Sequence, residues 1–238
     1  MKLSIIFPVL NSHEIVRRQD LHFDKMELPD DVEILYVDDG SDPPIESKRV
    51  AYRTNDKRPW TWALARNKGA KIAKGRNLLM TDLDYIIPKD VIEIGRDFKG
   101  DYISFKREFG ILDETGLFKQ DIDTLEKYGW PKSRYESRGF QLPPHPNNFI
   151  IRRDLFFEMG MYREDLVERP YPQGEDGDWK KRRKQWEREG RLKIDDYRPK
   201  LYMFPNGQWC KGKDVDSNPF GLFHDLTRKT KRNPWYKK

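Results

Sequence analysis

The 238-residue chain carries 46 Lys and Arg against 40 Asp and Glu, a net charge of +6, which favours anionic partners such as nucleotides, phosphorylated lipids, acidic glycans or nucleic acid. A single cysteine, Cys210, excludes an intramolecular disulfide and a thiolate metal cluster. No stretch approaches the ~20 apolar residues of a membrane-spanning helix, while an aromatic content of 13% supplies buried area for a core despite a charged fraction of 36%.

The chain opens on Leu3 to Leu10, a buried strand by its mostly apolar run, interrupted by Pro8 near its end where no ladder donor is needed. The run is too short to span a bilayer and no signal-peptide cleavage region follows it, so a soluble, cytoplasmic protein is expected, membrane-peripheral at most, and in the host cytoplasm if the source is viral. Asn11-x-x-Glu14 has the pattern of a capping box and opens a helix to about Leu21. Val32 to Val37 forms the second strand and runs directly into Asp38-Asp39-Gly40-Ser41-Asp42, an acidic turn at a strand's carboxyl end.

Trp60 to Lys74 has small apolar residues at helical spacing, and Gly75 suits the position past a helix end. Leu78-Leu79-Met80 is a third strand that stops abruptly at Asp82-x-Asp84. Pro88 opens a helix with Val91, Ile94 and Phe98 on one face, and Asp101 to Phe105 is a further strand. This β-α-β-α-β-α-β order predicts an α/β fold, a mainly parallel central sheet flanked by helices in the Rossmann-like manner.

Residues 107 to 146 are irregular and rich in Gly, Pro and aromatics, ending in Pro143-Pro144-His145-Pro146. A long irregular segment inside a compact domain is more often functional than accidental. A strand at Asn148 to Ile151, a short helix from Asp154 to about Met159 and a stop at Gly160 follow. Gly174-Glu175-Asp176-Gly177-Asp178 precedes a charged helix, Trp179 to Glu189, and the tail from Arg228 is basic.

Ligands collect at the carboxyl ends of strands in open α/β sheets. Asp82 and Asp84 lie at such an end, one residue apart, and offer hard oxygen ligands for a divalent ion. A bare Asp-x-Asp is common by chance, so its weight comes from its place.

The series SIIFPVLN, ILYVDDGSD, ARNKGAKIAKGRNLLMTDLD, NNFIIRRDLFFEMGMY and GEDGDW resembles, in order and spacing, the family 2 glycosyltransferases of GT-A fold, from Lys2 to about Arg183. The resemblance implies transfer of a hexosyl-type sugar from a nucleotide-diphosphate donor to an acceptor hydroxyl, with inversion and with Mn²⁺ or Mg²⁺ as cofactor. It implies one GT-A domain over 1–225, with a nucleotide-sugar-binding half at 1–106, an acceptor and catalytic half at 107–225, and a basic tail at 226–238. Asp39, with Asp38 beside it, Pro8 and Val9 at the end of the first strand, Arg66, Asn67 and Asp82 are then the nucleotide-sugar-binding residues.

Asp84 is the expected direct metal ligand, joined by Asp82, and the late His224 is a further candidate ligand. Asp176 matches the general base that takes the acceptor proton, with Glu175 beside it. Both also have a plain structural explanation, since acids favour helix N-termini. Trp179 and Phe140, with Trp130, are candidates for stacking on the acceptor sugar, although aromatics are more often core. The acceptor is a glycan, a lipid-linked sugar or another hydroxyl, with a nucleic-acid acceptor possible but not favoured.

Two other classes compete. A nucleotidyltransferase on a related sheet would carry a Gly-rich phosphate loop after the first strand, and Phe7 to Asn11 contains no glycine. A non-catalytic binder of nucleic acid or acidic glycan would use Lys180 to Lys184 and the tail, but it leaves the acids at the strand ends unexplained.

Overall fold

The computed structural model describes residues 1–54, 56, 61–127, 136, 139–168 and 174–204. Trp130, Cys210, His224 and the basic tail lie outside the described residues.

Among the described residues the central sheet has six strands. β1 (Leu3–Val9), β2 (Val32–Asp38), β3 (Val50–Arg53) and β4 (Asn77–Met80) run parallel. The sheet continues through a strand that arrives much later in the chain. β5 (Tyr85–Ile86), β6 (Tyr102–Ser104), β7 (Lys106–Phe109), β8 (Ile111–Leu112), β9 (Phe118–Lys119) and β10 (Gln141–Leu142) come first, and then β11 (Phe149–Arg152) inserts antiparallel between β4 and β6. The spatial order is β3-β2-β1-β4-β11-β6. A second sheet, ordered β10-β7-β12-β5, is completed by β12 (Lys200–Met203), and β8 and β9 form a hairpin.

Helices cover both faces: α1 (His13–Asp24), α2 (Trp62–Ile72), α3 (Lys89–Asp97), α4 (Ile122–Lys127), α5 (Arg153–Glu158) and α6 (Glu175–Arg188). The strands alternate between two cores, as the period of two requires. Leu3, Ile5 and Phe7 of β1, Leu79 of β4 and Ile150 of β11 pack with Ile15, Phe23, Val91 and Ile92 of α1 and α3. Ile6, Leu78, Met80, Phe149 and Ile151 point the other way, onto Ala63, Ala70, Phe156, Trp179 and Trp186 of α2, α5 and α6. The mainly parallel sheet flanked by helices expected from the sequence is therefore the one formed. Pro8 lies past the last β1–β4 pair, Ile6↔Met80, where its missing N–H costs no ladder bond.

Three local expectations are corrected. Gly75 is not a helix C-cap: α2 ends at Ile72 with Ala73 in the C-cap position, and a Cβ at Gly75 would sit 2.4 Å from the Ser4 backbone nitrogen, so the glycine permits close approach to β1. The acids Glu175, Asp176 and Asp178 lie inside the first turn of α6 rather than before the helix. The capping box at Asn11 does not form: Ser12 holds the N-cap position without a side-chain cap bond.

Glu14 is taken up instead by Arg17 and Arg18, with Oε1 accepting from Arg18 Nε at 2.7 Å, and Arg18 Nη1 donates to the Leu112 carbonyl at 2.8 Å. The hydrogen bond from Arg17, opposed by burial and aided by Arg18, holds the Glu14 carboxyl down to about 2 from 4.5. The folded carboxylate binds its proton less tightly than the unfolded one, so its stabilisation is present above pH 4.5 and lost as pH falls to about 2. Glu14→Gln is expected to lower the melting temperature at neutral pH and to flatten the pH–stability curve between those limits. A curve overlying that of the unaltered protein would show that the cluster contributes nothing.

Candidate active site

β4 is buried along its whole length, and the chain turns immediately after Met80. The Tyr85 amide donates to the Asp82 carbonyl at 3.1 Å to close this turn. Leu83 points inward at 5% exposure, which leaves Asp82 and Asp84 half-buried on either side of it. The turn is braced twice. Thr81 Oγ1 donates to Asn148 Oδ1 at 2.8 Å, at the start of β11, and buried Arg107 donates both to the Tyr85 hydroxyl and to the Pro143 carbonyl at 2.5 Å. The Pro143–Pro146 loop is thereby fixed beside the acidic turn.

Helix α2 links two acidic strand ends. Thr61, at its N-cap, donates to Asp39 Oδ2 at 2.5 Å just beyond β2, and Arg66, on its next turn, donates through Nη2 to Asp82 Oδ1 beyond β4. The Arg66 side chain is 1% exposed, between the rings of Trp62 (5.9 Å) and Tyr162 (5.4 Å), with Nη1 3.9 Å from Glu175 Oε1. Burial works against its charge, but Asp82 first, then Tyr162, Asp176 and Glu175, more than offset that cost and raise its pKa. Burial raises the Glu175 carboxyl above the usual carboxylate range, Arg66 opposes the shift and Asp176 adds to it.

Asp176 is more open than its carboxylate neighbours, with 34% of its side chain exposed against 15% for Asp82 and 19% for Glu175. Its Oδ1 accepts from Asn147 Nδ2, and its Oδ2 lies 3.4 Å from His145 Nε2. His145 Nδ1 in turn lies 3.8 Å from Asp82 Oδ2, so one imidazole spans from the Asp-x-Asp turn to the start of α6. Neither His145 nor Asn147 is among the site residues expected from the sequence, although three prolines crowd His145 just before a buried strand and Asn147 opens the NNFIIRRDLFFEMGMY motif.

Several expected site residues take other places. Asp38 is spent on its own turn: Oδ1 accepts from the Ser41 amide at 2.9 Å and Oδ2 from the Ile45 amide at 3.0 Å. Asn67 is fully buried and clamps Tyr162, with Oδ1 accepting from its amide at 3.0 Å and Nδ2 donating to its carbonyl at 2.8 Å. Arg66 lies behind Asp82 rather than on an open surface. Trp179 is a core residue, wholly buried and stacked on Phe149 with centroids 5.2 Å apart, because the α6 face it shares with Trp186 packs on the sheet. Phe140 is half-buried against the first core, and its carbonyl accepts from the Phe109 amide. Pro8 and Val9 are buried at the end of β1, where the Val9 carbonyl accepts from the Asp39 amide at 2.7 Å and so positions Asp39.

Among the described residues no group of three or more His, Cys, Asp or Glu could by itself cage a metal ion. The donor chemistry nevertheless suits one that arrives with its substrate. Mg²⁺ is commonly held by one or two carboxylates together with substrate phosphates. Asp82, Glu175 and Asp176 gather here, Arg66 pairs with the first two, and Asp84 follows Asp82 by two residues on the same turn. His224, the other candidate ligand, lies outside the described residues.

The profile of Glycosyl transferase family 2 matches residues 4–101, the part of the chain that carries Asp39, Arg66 and Asp82-x-Asp84. No curated protein matches the chain. Among solved structures, residues 1–349 of S. aureus TarS share 18% identity over 86% of this chain and 60% of that one, with a TM-score of 0.53. The same protein in complex with UDP gives a TM-score of 0.53 at 18% identity, covering 87% of this chain and 61% of that one. In complex with UDP-GlcNAc it gives 0.51 at 19%, covering 91% and 61%. The chain thus spans about three fifths of these structures and shares their fold. No helix among the described residues is long and apolar enough to cross a membrane.

Proposed function

We propose, on the premise of the family 2 match over residues 4–101 and the fold shared with TarS, that this chain transfers a sugar from a nucleotide-diphosphate donor to an acceptor hydroxyl. The observation that carries the reading is the convergence of Asp82 and Asp176 on the two nitrogens of His145. It sets the carboxylate of the Asp-x-Asp turn, on the donor side, within one imidazole of Asp176, a carboxylate more open than Asp82 or Glu175, on the acceptor side. A base and a leaving group on opposite sides of one reacting carbon need that proximity.

Asp39 takes the nucleotide base, and Asp82, held by Arg66, lies toward the ribose and diphosphate. Asp84 and Asp82 would hold Mn²⁺ or Mg²⁺, which supplies Lewis-acid stabilisation of the departing diphosphate when bound. Asp176 accepts the proton of the attacking hydroxyl. As that oxygen bonds to the anomeric carbon, the bond to the diphosphate oxygen breaks and the nucleoside diphosphate leaves. A base acting directly on the acceptor gives a single displacement, and so inversion at that carbon. The residues up to 106 serve the donor and those from 107 bring the base and the acceptor.

Thermal denaturation with UDP, GDP or dTDP, each with and without Mn²⁺, tests the donor half of this reading. A ligand at a hundred times its Kd adds ~2.7 kcal/mol of stability. One nucleotide is expected to raise the melting temperature, and to do so more with the metal. No rise with any nucleotide in either condition, beside a salt-sensitive rise with DNA, would replace the transferase with a polyanion binder.

A further inference from the structure

Asp176 sits at the first turn of α6, behind Gly174 in a left-handed conformation (φ +106°), and nothing within its own helix orients the carboxylate. Its orientation comes from outside. Asn147, 2% exposed, donates through Nδ2 to Asp176 Oδ1, and its own Oδ1 accepts from the Tyr162 hydroxyl at 3.0 Å. These bonds have one consistent direction. A carboxylate can only accept, so it takes the N–H end of the amide and leaves the carbonyl end for the hydroxyl. Burial pushes the Tyr162 hydroxyl well above its ordinary range, although Arg66 opposes the shift, so it stays a proton donor throughout the working pH range.

Tyr162 is itself immobilised. Its ring packs 5.2 Å from Trp179 and 6.0 Å from Phe156, and its backbone amide and carbonyl are both bonded to the Asn67 side chain of α2. A rigid path therefore runs from α2 through Asn67, Tyr162 and Asn147 to one oxygen of Asp176. The other oxygen is left on the His145 side.

We propose that Asn147 and Tyr162 are positioning residues, which fix the Asp176 carboxylate so that Oδ2 takes the acceptor proton. The inference rests on the glycosyltransferase reading and extends it to residues outside the matched segment. Groups that hold a reacting group by a hydrogen bond act on turnover more than on donor affinity, because the donor binds whether or not the base is aligned.

The test follows release of nucleoside diphosphate from UDP-, GDP- and dTDP-sugars, with water or an added sugar as acceptor, in Asn147→Ala, Tyr162→Phe and the double variant. Asn147→Ala is expected to lower kcat ~100-fold and Tyr162→Phe ~tenfold, the scale on which small misplacement of a reacting group acts, with donor KM within about twofold of the unaltered value. The double variant should be no slower than Asn147→Ala alone, because the hydroxyl acts only through the amide. Tyr162→Phe keeps the ring and its packing, so it decides the matter even where Asn147→Ala does not fold. An unchanged kcat in Tyr162→Phe, or a double variant slowed by the product of the two single effects, would overturn the inference while leaving the transferase reading intact. Absence of turnover by the unaltered protein with every donor would overturn that reading, and this inference with it.

Discussion

Arg66→Met is expected to cost the unliganded protein about 3 kcal/mol, the lower end of the range for breaking a buried ion pair from one side. The guanidinium is 1% exposed and pairs with Asp82 and Glu175, whose side chains are 15% and 19% exposed. Removing it leaves two partly desolvated carboxylates facing each other near Asp176, and takes a packed cation from between Trp62 and Tyr162. The cost stays at the low end because both carboxylates keep some water. A denaturant midpoint shift read at constant slope measures it.

Two companions locate the cause. Arg66→Lys should recover only part of the loss, since an ammonium cannot reproduce a planar fork between two rings. Adding Asp82→Asn to Arg66→Met should cost less than the two single changes summed, because the second change neutralises a charge that the first left bare. A loss below 1 kcal/mol in Arg66→Met would show that the network is not held together by this ion.

The parts of the fold that were legible in the sequence are those where one strand carries its own signal. β1, β2 and β4 are mostly apolar because they are buried on both faces, and each apolar run meets polar or acidic residues at its carboxyl end. Their order with the intervening helices gave a parallel sheet, and the acids at their ends gave a candidate site. β3 was not visible, because Val50–Arg53 is an exposed edge whose sequence resembles a loop. The insertion of β11 between β4 and β6 was equally hidden, since a strand's neighbour is a long-range choice that its own residues do not encode.

The site shows the same division. Asp82-x-Asp84 and Glu175-Asp176 were found by place and order. What could not be read was which polar groups point inward. Arg66 looks like an ordinary helix cation until Asp82 arrives sixteen residues later to pair with it. Asn67 looked like a ligand contact and is a clamp on Tyr162. Trp179 carried a usable signal that was read the wrong way: it shares a helical face with Trp186, and that face is core. His145 and Asn147 reach Asp176 from a segment that Arg107 braces at Pro143, Thr81 at Asn148 and Tyr162 at Asn147, contacts with no counterpart in local sequence.

The most direct measurement is donor turnover in Asp176→Asn. Asparagine keeps the shape of the side chain and removes its capacity to take a proton. The variant should fold, bind nucleoside diphosphate with the same gain in melting temperature as the unaltered protein, and release product about 10³-fold more slowly, within the range for loss of a general base. Unaltered turnover beside full-length, folded Asp176→Asn protein would remove Asp176 from the chemistry and contradict the account of the site.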